Sequence, residues 1–292
     1  KTSLIDHILA DWPLWGLSTS APAANQVRSL PGGLTNHCFL LTLNGADYVL
    51  RVEGRNSAAL DINRNAEFAI HQMAADLQLT PPVLFRSAEK HYWIRPYIHG
   101  RTLRSQDLTP PVLKQMLQQL HALHQLTLPA DIQHAVPRLS ITDKASYYWN
   151  MLAAQGISHQ ILNMRARLQQ AMSVMPDERL CLCHMDPLPA NWIEQDGTLT
   201  LLDWEYAALG HPLWDIAALL QAANVNAQEQ QHLLQEVIAG KKNKGWDQSW
   251  QQANRQMQYL TALWYGAQGM WSARELQASL SALLNDAPAA YS

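Results

Sequence analysis

The chain has 292 residues, 48% of them hydrophobic and 15% charged, with a formal net charge of -3 and 3 cysteines. That balance excludes a disordered chain, a disulfide-stapled scaffold and a surface basic enough to grip a phosphate backbone, so no nucleic-acid partner is expected. No apolar run reaches the ~18 residues a membrane span needs, and Asp6 and Asp11 interrupt the apolar N-terminal stretch, so a cytoplasmic protein without membrane insertion is expected.

In chain order, residues 1–95 read as β-rich with one helix. Strands are expected at Gln26–Leu30 and His37–Leu43, then, after the Asn44-Gly45 hairpin signal, at Tyr48–Val52. Ile62, Ala66, Ala69, Ile70 and Met73 recur at helical spacing from Asp61 to Leu77, and Pro81-Pro82 closes that element. A further strand pair fits Val83–Arg86 and His91–Ile98. Residues 96–292 turn helical. Thr109 is expected to cap a helix with Pro110 and Pro111 in its first turn and an apolar stripe from Val112 to Leu123. Helices follow at Ile141–Gln155, His159–Val174, Trp214–Ala223, Ala227–Ala239, Asp247–Tyr265 and Arg274–Leu284, with a short strand pair between Leu180 and Asp203. The fold class is therefore α+β: a small sheet-rich lobe, residues 1–95, and a larger helical lobe, residues 96–292, with a cleft for a small molecule. Cys181 and Cys183 are expected to face opposite sides of a strand as buried, apolar-like residues; His121 and His124 are expected to be solvated or capping, and no zinc site is claimed.

The chemistry concentrates between Cys181 and Asp215. His184, Asp186 and Asn191 form the pattern HxDxxxxN, and the apolar run Leu201-Leu202 ends in Asp203 and Glu205. If the extended conformation continues, side chains at i and i+2 leave the same face, so both carboxylates meet one site. With the Asn191 amide oxygen the donors are all hard oxygens, which suits magnesium. Asp186, five residues before Asn191, has the spacing of a phosphoryl-transfer catalytic loop.

On these residues the chain resembles the aminoglycoside phosphotransferase and choline kinase superfamily, whose members are similar in fold to protein kinases. The resemblance runs from about Ser29 to about Tyr265. It implies a two-lobed protein-kinase-like fold that uses ATP and magnesium, with Asp186 orienting or deprotonating the substrate hydroxyl. Asn191 and Asp203 would bind magnesium, Glu205 would assist the metal or the substrate, and His184 would brace the loop. Gly32, Gly33, Thr35 and Asn36 resemble the family's GGxTN phosphate loop, where small residues let backbone N–H groups approach phosphates. Arg51 matches the cation that meets the phosphates, with Glu67 as its partner and Arg64 as a competing surface cation. Trp93–Leu103 resembles the lobe-connecting segment that contacts adenine, and Asp215 the aspartate that braces the catalytic loop. The chain departs from the family in Pro187-Leu188-Pro189-Ala190, a stiffer and less polar loop than in relatives.

The acceptor is read from the aromatic tail: Trp246, Trp250, Tyr259, Trp264, Tyr265 and Trp271, out of eleven tryptophans against three phenylalanines. Aromatic faces attract quaternary and tertiary ammonium groups. Tyr259–Gln268 resembles the choline kinase segment that supplies two cage tryptophans; Trp264 fits the second, Thr261 stands at the first, and Trp271 or Tyr206 would supply the missing wall. Asp203–Tyr206 also resembles bacterial thiamine kinases. The expected function is an ATP-dependent kinase acting on the hydroxyl of a small cationic alcohol, choline or ethanolamine-like. The alternatives are a thiamine kinase, an aminoglycoside-type phosphotransferase, disfavoured by the basic loop Lys241, Lys242 and Lys244, and a non-catalytic kinase-fold binding protein.

Overall fold

The computed structural model describes residues 4–31, 36–54, 63–87, 89, 91–176, 179–223, 225–238 and 245–285. The chain opens with two short helices, α1 (Leu4–Leu9) and α2 (Trp12–Trp15), then β1 (Val27–Leu30), β2 (Asn36–Leu43), β3 (Ala46–Glu53), α3 (Arg64–Asp76), β4 (Phe85–Ser87), β5 (Tyr92–Pro96) and β6 (Arg101–Thr102). Helices α4 (Pro110–His124), α5 (Ala130–Ala135), α6 (Ile141–Ala154), α7 (His159–Leu162) and α8 (Arg165–Met172) follow. Next come β7 (Cys181–Cys183), β8 (Trp192–Gln195), β9 (Thr198–Leu201), β10 (Ala208–Gly210), α9 (Pro212–Ala223), α10 (Ala227–Ile238), α11 (Trp246–Ala267) and α12 (Ala273–Asn285). Among the described residues no helix is long and apolar enough to cross a membrane.

The chain divides into two compact units: residues 1–103, 131–135 and 190–206 form one, and residues 104–130, 136–189 and 207–292 the other. The first is built on an antiparallel sheet ordered β1-β2-β3-β5-β4. Asn44 and Gly45 take left-handed backbone angles, φ 50° and 77°, which lets β2 turn directly into β3. The sheet buries Leu41, Leu43, Leu50, Val52, Tyr92 and Ile94 against Ile8 and Trp15 of the N-terminal helices. Two hydrogen bonds pin this cover: Trp15 Nε1 donates to Tyr92 Oη at 2.9 Å, and that hydroxyl donates to Asp11 Oδ2 at 2.9 Å. Sequence periodicity missed α1 and α2 because each is too short to show a repeat.

A second strand group in the same unit runs β6-β8-β9. Gly100 permits it: a Cβ there would collide with the Glu194 carbonyl oxygen, so the backbones meet where no side chain fits. Arg101 pairs with Glu194, Thr102 with Ile193, and Leu103 N–H donates to Trp192 O at 2.9 Å. Leu202 N–H closes the base of the hairpin on Asn191 O, and Leu201 N–H bonds Leu79 O beyond α3, both at 2.8 Å.

The second unit is helical, with α11 packed on α6, α9 and α12. Helix α4 keeps its expected stripe, burying Leu113, Met116, Leu117, Leu120 and Leu123. Thr109 is extended but its hydroxyl makes no capping bond. A cap accepts from the second or third helical N–H, and Pro111 removes the first of these two donors, leaving Val112 alone. The single helix expected over His159–Val174 is two, α7 and α8, separated by Asn163 and Met164.

Strand β7 corrects the cysteine expectation. It pairs with β10, and the Cys181 and Cys183 sulfurs lie 3.7 Å apart. The alternation of a strand has period two, so residues i and i+2 share a face; only Leu182 points the other way.

Candidate active site

Helix α3 starts where Asn63 Oδ1 accepts the N–H groups of Asn65 and Ala66, and its first turn carries Glu67 inward. Glu67 lies 2% exposed beneath the sheet. Arg51 Nη2 reaches Glu67 Oε1 at 2.6 Å, and its guanidinium stacks over Trp93, 4.5 Å from the ring centroid. Burial alone would lower the Arg51 pKa, but Glu67, Asp203 and Glu205 together push it above its ordinary value.

Arg64 is not a surface cation. Its side chain is 11% exposed and meets Glu67 Oε2 at 2.8 Å and Glu205 Oε2 at 3.3 Å. The i, i+3 spacing of Arg64 and Glu67 on one helix face was the available signal. Glu205 Oε2 also accepts from Asn36 Nδ2 at 3.0 Å and lies 3.6 Å from Arg51 Nη2. Of the phosphate-loop residues, Gly32, Gly33 and Thr35 lie outside the described residues, as do Lys241, Lys242 and Lys244 of the basic loop; Asn36 is placed at the carboxylate instead.

The extended path assumed for Asp203 to Glu205 is not followed. β9 ends at Leu201, Asp203 adopts φ 63°, and the chain turns at Glu205 and Tyr206. Trp204 is buried and its Nε1 donates back to Leu201 O. The carboxylates converge by this bend: oxygens of Glu67, Asp203 and Glu205 lie within 4.8 Å of one another. A non-glycine residue in the left-handed region carries strain of order 1–3 kcal/mol, which the surrounding hydrogen bonds sustain. Asp203 presents an exposed surface yet is hemmed in by protein. Desolvation, then Glu205, raise its pKa to about 6, against Arg51, which lowers it. Arg95, from β5, also feels Asp203; burial first, with repulsion from Arg51, lowers its guanidinium to about 10. Asn191 ends the turn before β8 with its carbonyl on Leu202. The oxygen donors of Asp203, Glu205, Glu67 and Asn191 fit magnesium in kind, and the proximity of three carboxylates is what a divalent cation offsets.

In the second unit the loop after β7 carries Asp186, half-buried, with Pro187 and Pro189 packed inside and Leu188 facing out. Asp215, fully buried in the first turn of α9, holds this loop. Its Oδ2 accepts His184 N–H at 2.8 Å and its Oδ1 accepts Met185 N–H at 2.8 Å. Met185 itself has φ 67°, and His184 Nδ1 accepts Asp186 N–H at 3.2 Å. His124 Nε2 donates to Asp215 Oδ2 as well, at 2.9 Å. His124 is therefore neither solvated nor capping: its side chain is 2% exposed and points into the loop's support.

The aromatic tail separates into packing and candidate binding groups. Tyr259 is core, fully buried and accepting Trp149 Nε1 at 2.7 Å, and Trp246 and Trp250 stack on each other. Trp264, Tyr265 and Trp271 stay half-exposed and adjoin. The chain folds back after α11 through Met270 N–H to Tyr265 O, and Trp271 stacks on Tyr265 with centroids 5.1 Å apart. Trp264 meets Tyr265 edge-on at 5.1 Å. Trp271 also borders a concavity of about 340 Å³ with Thr261 and Gln258, in which no carboxylate appears among the described residues. Tyr206 belongs to the first unit, half-buried after Glu205.

Residues 26–278 match the phosphotransferase enzyme family. The chain belongs to that family. Its fold is α+β and kinase-like. The chain is 29% identical over 221 residues to Protein LicA of Haemophilus influenzae, an alignment covering 73% of this chain and 62% of that protein, so it spans less than two thirds of that relative's length. To a thiamine kinase of Escherichia coli it is 26% identical over 251 residues, covering 85% of this chain and 83% of the kinase. The crystal structure of choline kinase LicA from Streptococcus pneumoniae superposes with a TM-score of 0.73 at 20% identity, covering 96% of this chain and 100% of that one.

Proposed function

We propose that the protein is an ATP- and magnesium-dependent kinase that phosphorylates the hydroxyl of a small cationic alcohol, choline or ethanolamine-like. The observation that carries the phosphoryl-transfer part is the convergence of Glu67, Asp203 and Glu205 around Arg51 and Arg64. Magnesium, when bound, would neutralise phosphate charge beside Asn191, Asp203 and Glu205. Arg51, clamped by Glu67 and held over the Trp93 ring, is fixed in orientation before any nucleotide arrives, so little side-chain entropy is lost when a phosphate binds. Asp186 orients the acceptor hydroxyl and takes its proton, on a loop whose two amides are tied to Asp215. The cationic acceptor is supported by the half-exposed Trp264, Tyr265 and Trp271 and by the relatives named LicA. Thiamine is the second reading, favoured by the kinase relative that aligns over most of the chain, since thiamine also joins a cationic ring to an alcohol.

The test is ADP release with ATP and magnesium across choline, ethanolamine, thiamine and an aminoglycoside. Acceptor-dependent turnover with choline or ethanolamine is expected, and Asp186→Asn should abolish it. Turnover only with thiamine or the aminoglycoside would overturn the preferred acceptor, and no turnover with any of them would overturn the kinase assignment.

A further inference from the structure

We propose that His124, Cys181 and Cys183 form a binding site for a thiophilic divalent cation of the zinc type, built from residues the phosphotransfer reading does not use as ligands. A His124 ring nitrogen and the two sulfurs lie within 4.8 Å of one another, and the sulfurs are 3.7 Å apart. Two thiolates each ~2.3 Å from one tetrahedral zinc stand about 3.8 Å apart, so the pair already has the required span.

The histidine is prepared as a ligand. Asp215, as a carboxylate, can only accept, so His124 Nε2 carries the proton and the lone pair resides on Nδ1. That atom is buried and has no hydrogen-bond partner, an arrangement that is costly unless something uses the lone pair. A carboxylate holding the far nitrogen of a metal-binding histidine is the usual outer support of zinc ligands. The thiol contacts are weak ones: Cys181 Sγ to Gly210 O at 3.7 Å, Cys183 Sγ to His211 O at 3.5 Å and to Cys181 O at 3.7 Å, and the two sulfurs to each other. Binding would release both thiol protons to solvent, and a divalent ion with two thiolates and a neutral imidazole has no net charge, which a buried site tolerates. Cys181 is half-exposed, so an ion can reach the site from its side.

The probe is cobalt(II), added to the reduced full chain. One equivalent should bind with a thiolate-to-cobalt charge-transfer band, a signature that carboxylate-bound cobalt lacks, and zinc should displace it. Cys38→Ser should keep the band, Cys181→Ser should lose it, and His124→Asn should weaken binding at least about tenfold. Because His124 and Cys183 lie in the core, the half-exposed Cys181 carries the decision. Absence of the band in the wild-type chain, or its survival in Cys181→Ser, would overturn the site.

Discussion

Two carboxylate centres organise the molecule, and they are held in opposite ways. In the helical unit, Asp215 is surrounded by N–H donors, two from backbone and one from His124. In the sheet unit, Glu67 and Glu205 are surrounded by full charges, the guanidiniums of Arg51 and Arg64. Donors of fixed backbone geometry make a rigid brace, whereas ion pairs can exchange one cation for another. The first arrangement suits holding a loop still, and the second suits a site that must accept and release charged ligands.

The sharpest way to break this contrast is Asp215→Ala. It leaves three donors without acceptors, two of them buried and that of Met185 partly so, and a loss of roughly 4–6 kcal/mol is expected in urea unfolding, with activity lost alongside. If stability barely changes, Asp215 is not a brace. Asp186→Asn should do the reverse: turnover falls by roughly 10²–10⁴, while the unfolding midpoint stays put. Arg51→Met breaks a buried pair and should cost about 3–5 kcal/mol, and magnesium, facing carboxylates with one cation fewer, should stabilise this variant more than wild type in thermal melts.

The pH dependence probes His71, whose ring sits behind the same sheet and whose Nε2 is 2.8 Å from Pro81 O. Burial, opposed by that hydrogen bond, lowers its pKa to about 4. The unfolded chain then binds the extra proton first, so this contribution is complete above pH ~6.5 and is lost as the pH falls toward 4, by up to about 3 kcal/mol. Asp203, raised to about 6, acts with the opposite sign over part of the same range. The quantity to measure is therefore the wild-type slope minus that of His71→Gln; an unchanged slope would remove His71 as the cause. The smallest effect is expected for Trp264→Ala, an increase in KM for a cationic acceptor worth about 1–2 kcal/mol with kcat little altered.

Much of this could be read from residues alone. The strand pairs around Asn44-Gly45, helices α3 and α4, and the segment holding Asp186, Asn191, Asp203 and Glu205 follow from turn chemistry, apolar spacing and motif. What escaped depended on backbone bends and on partners distant in sequence. Asp203 turns through a left-handed residue where an unbroken strand was assumed, and no side-chain pattern announces such a bend. His124 and Asp215 stand 91 positions apart, so the histidine's burial could not be seen from its glutamine-rich helix. Arg64 and the cysteine pair are different: their spacings of three and two were on view, and the period of helix and strand was enough to place each one.

Gly100 has a mechanical consequence. Because bare backbone at that point lies against Glu194, residues 101–103 are laced to the strand that begins just after Asn191, and the hairpin returns to Asp203. A pull on this strip is therefore delivered to the stretch bearing the oxygen donors, while any bulkier residue at position 100 would pry the lacing open and leave the two ends to move independently.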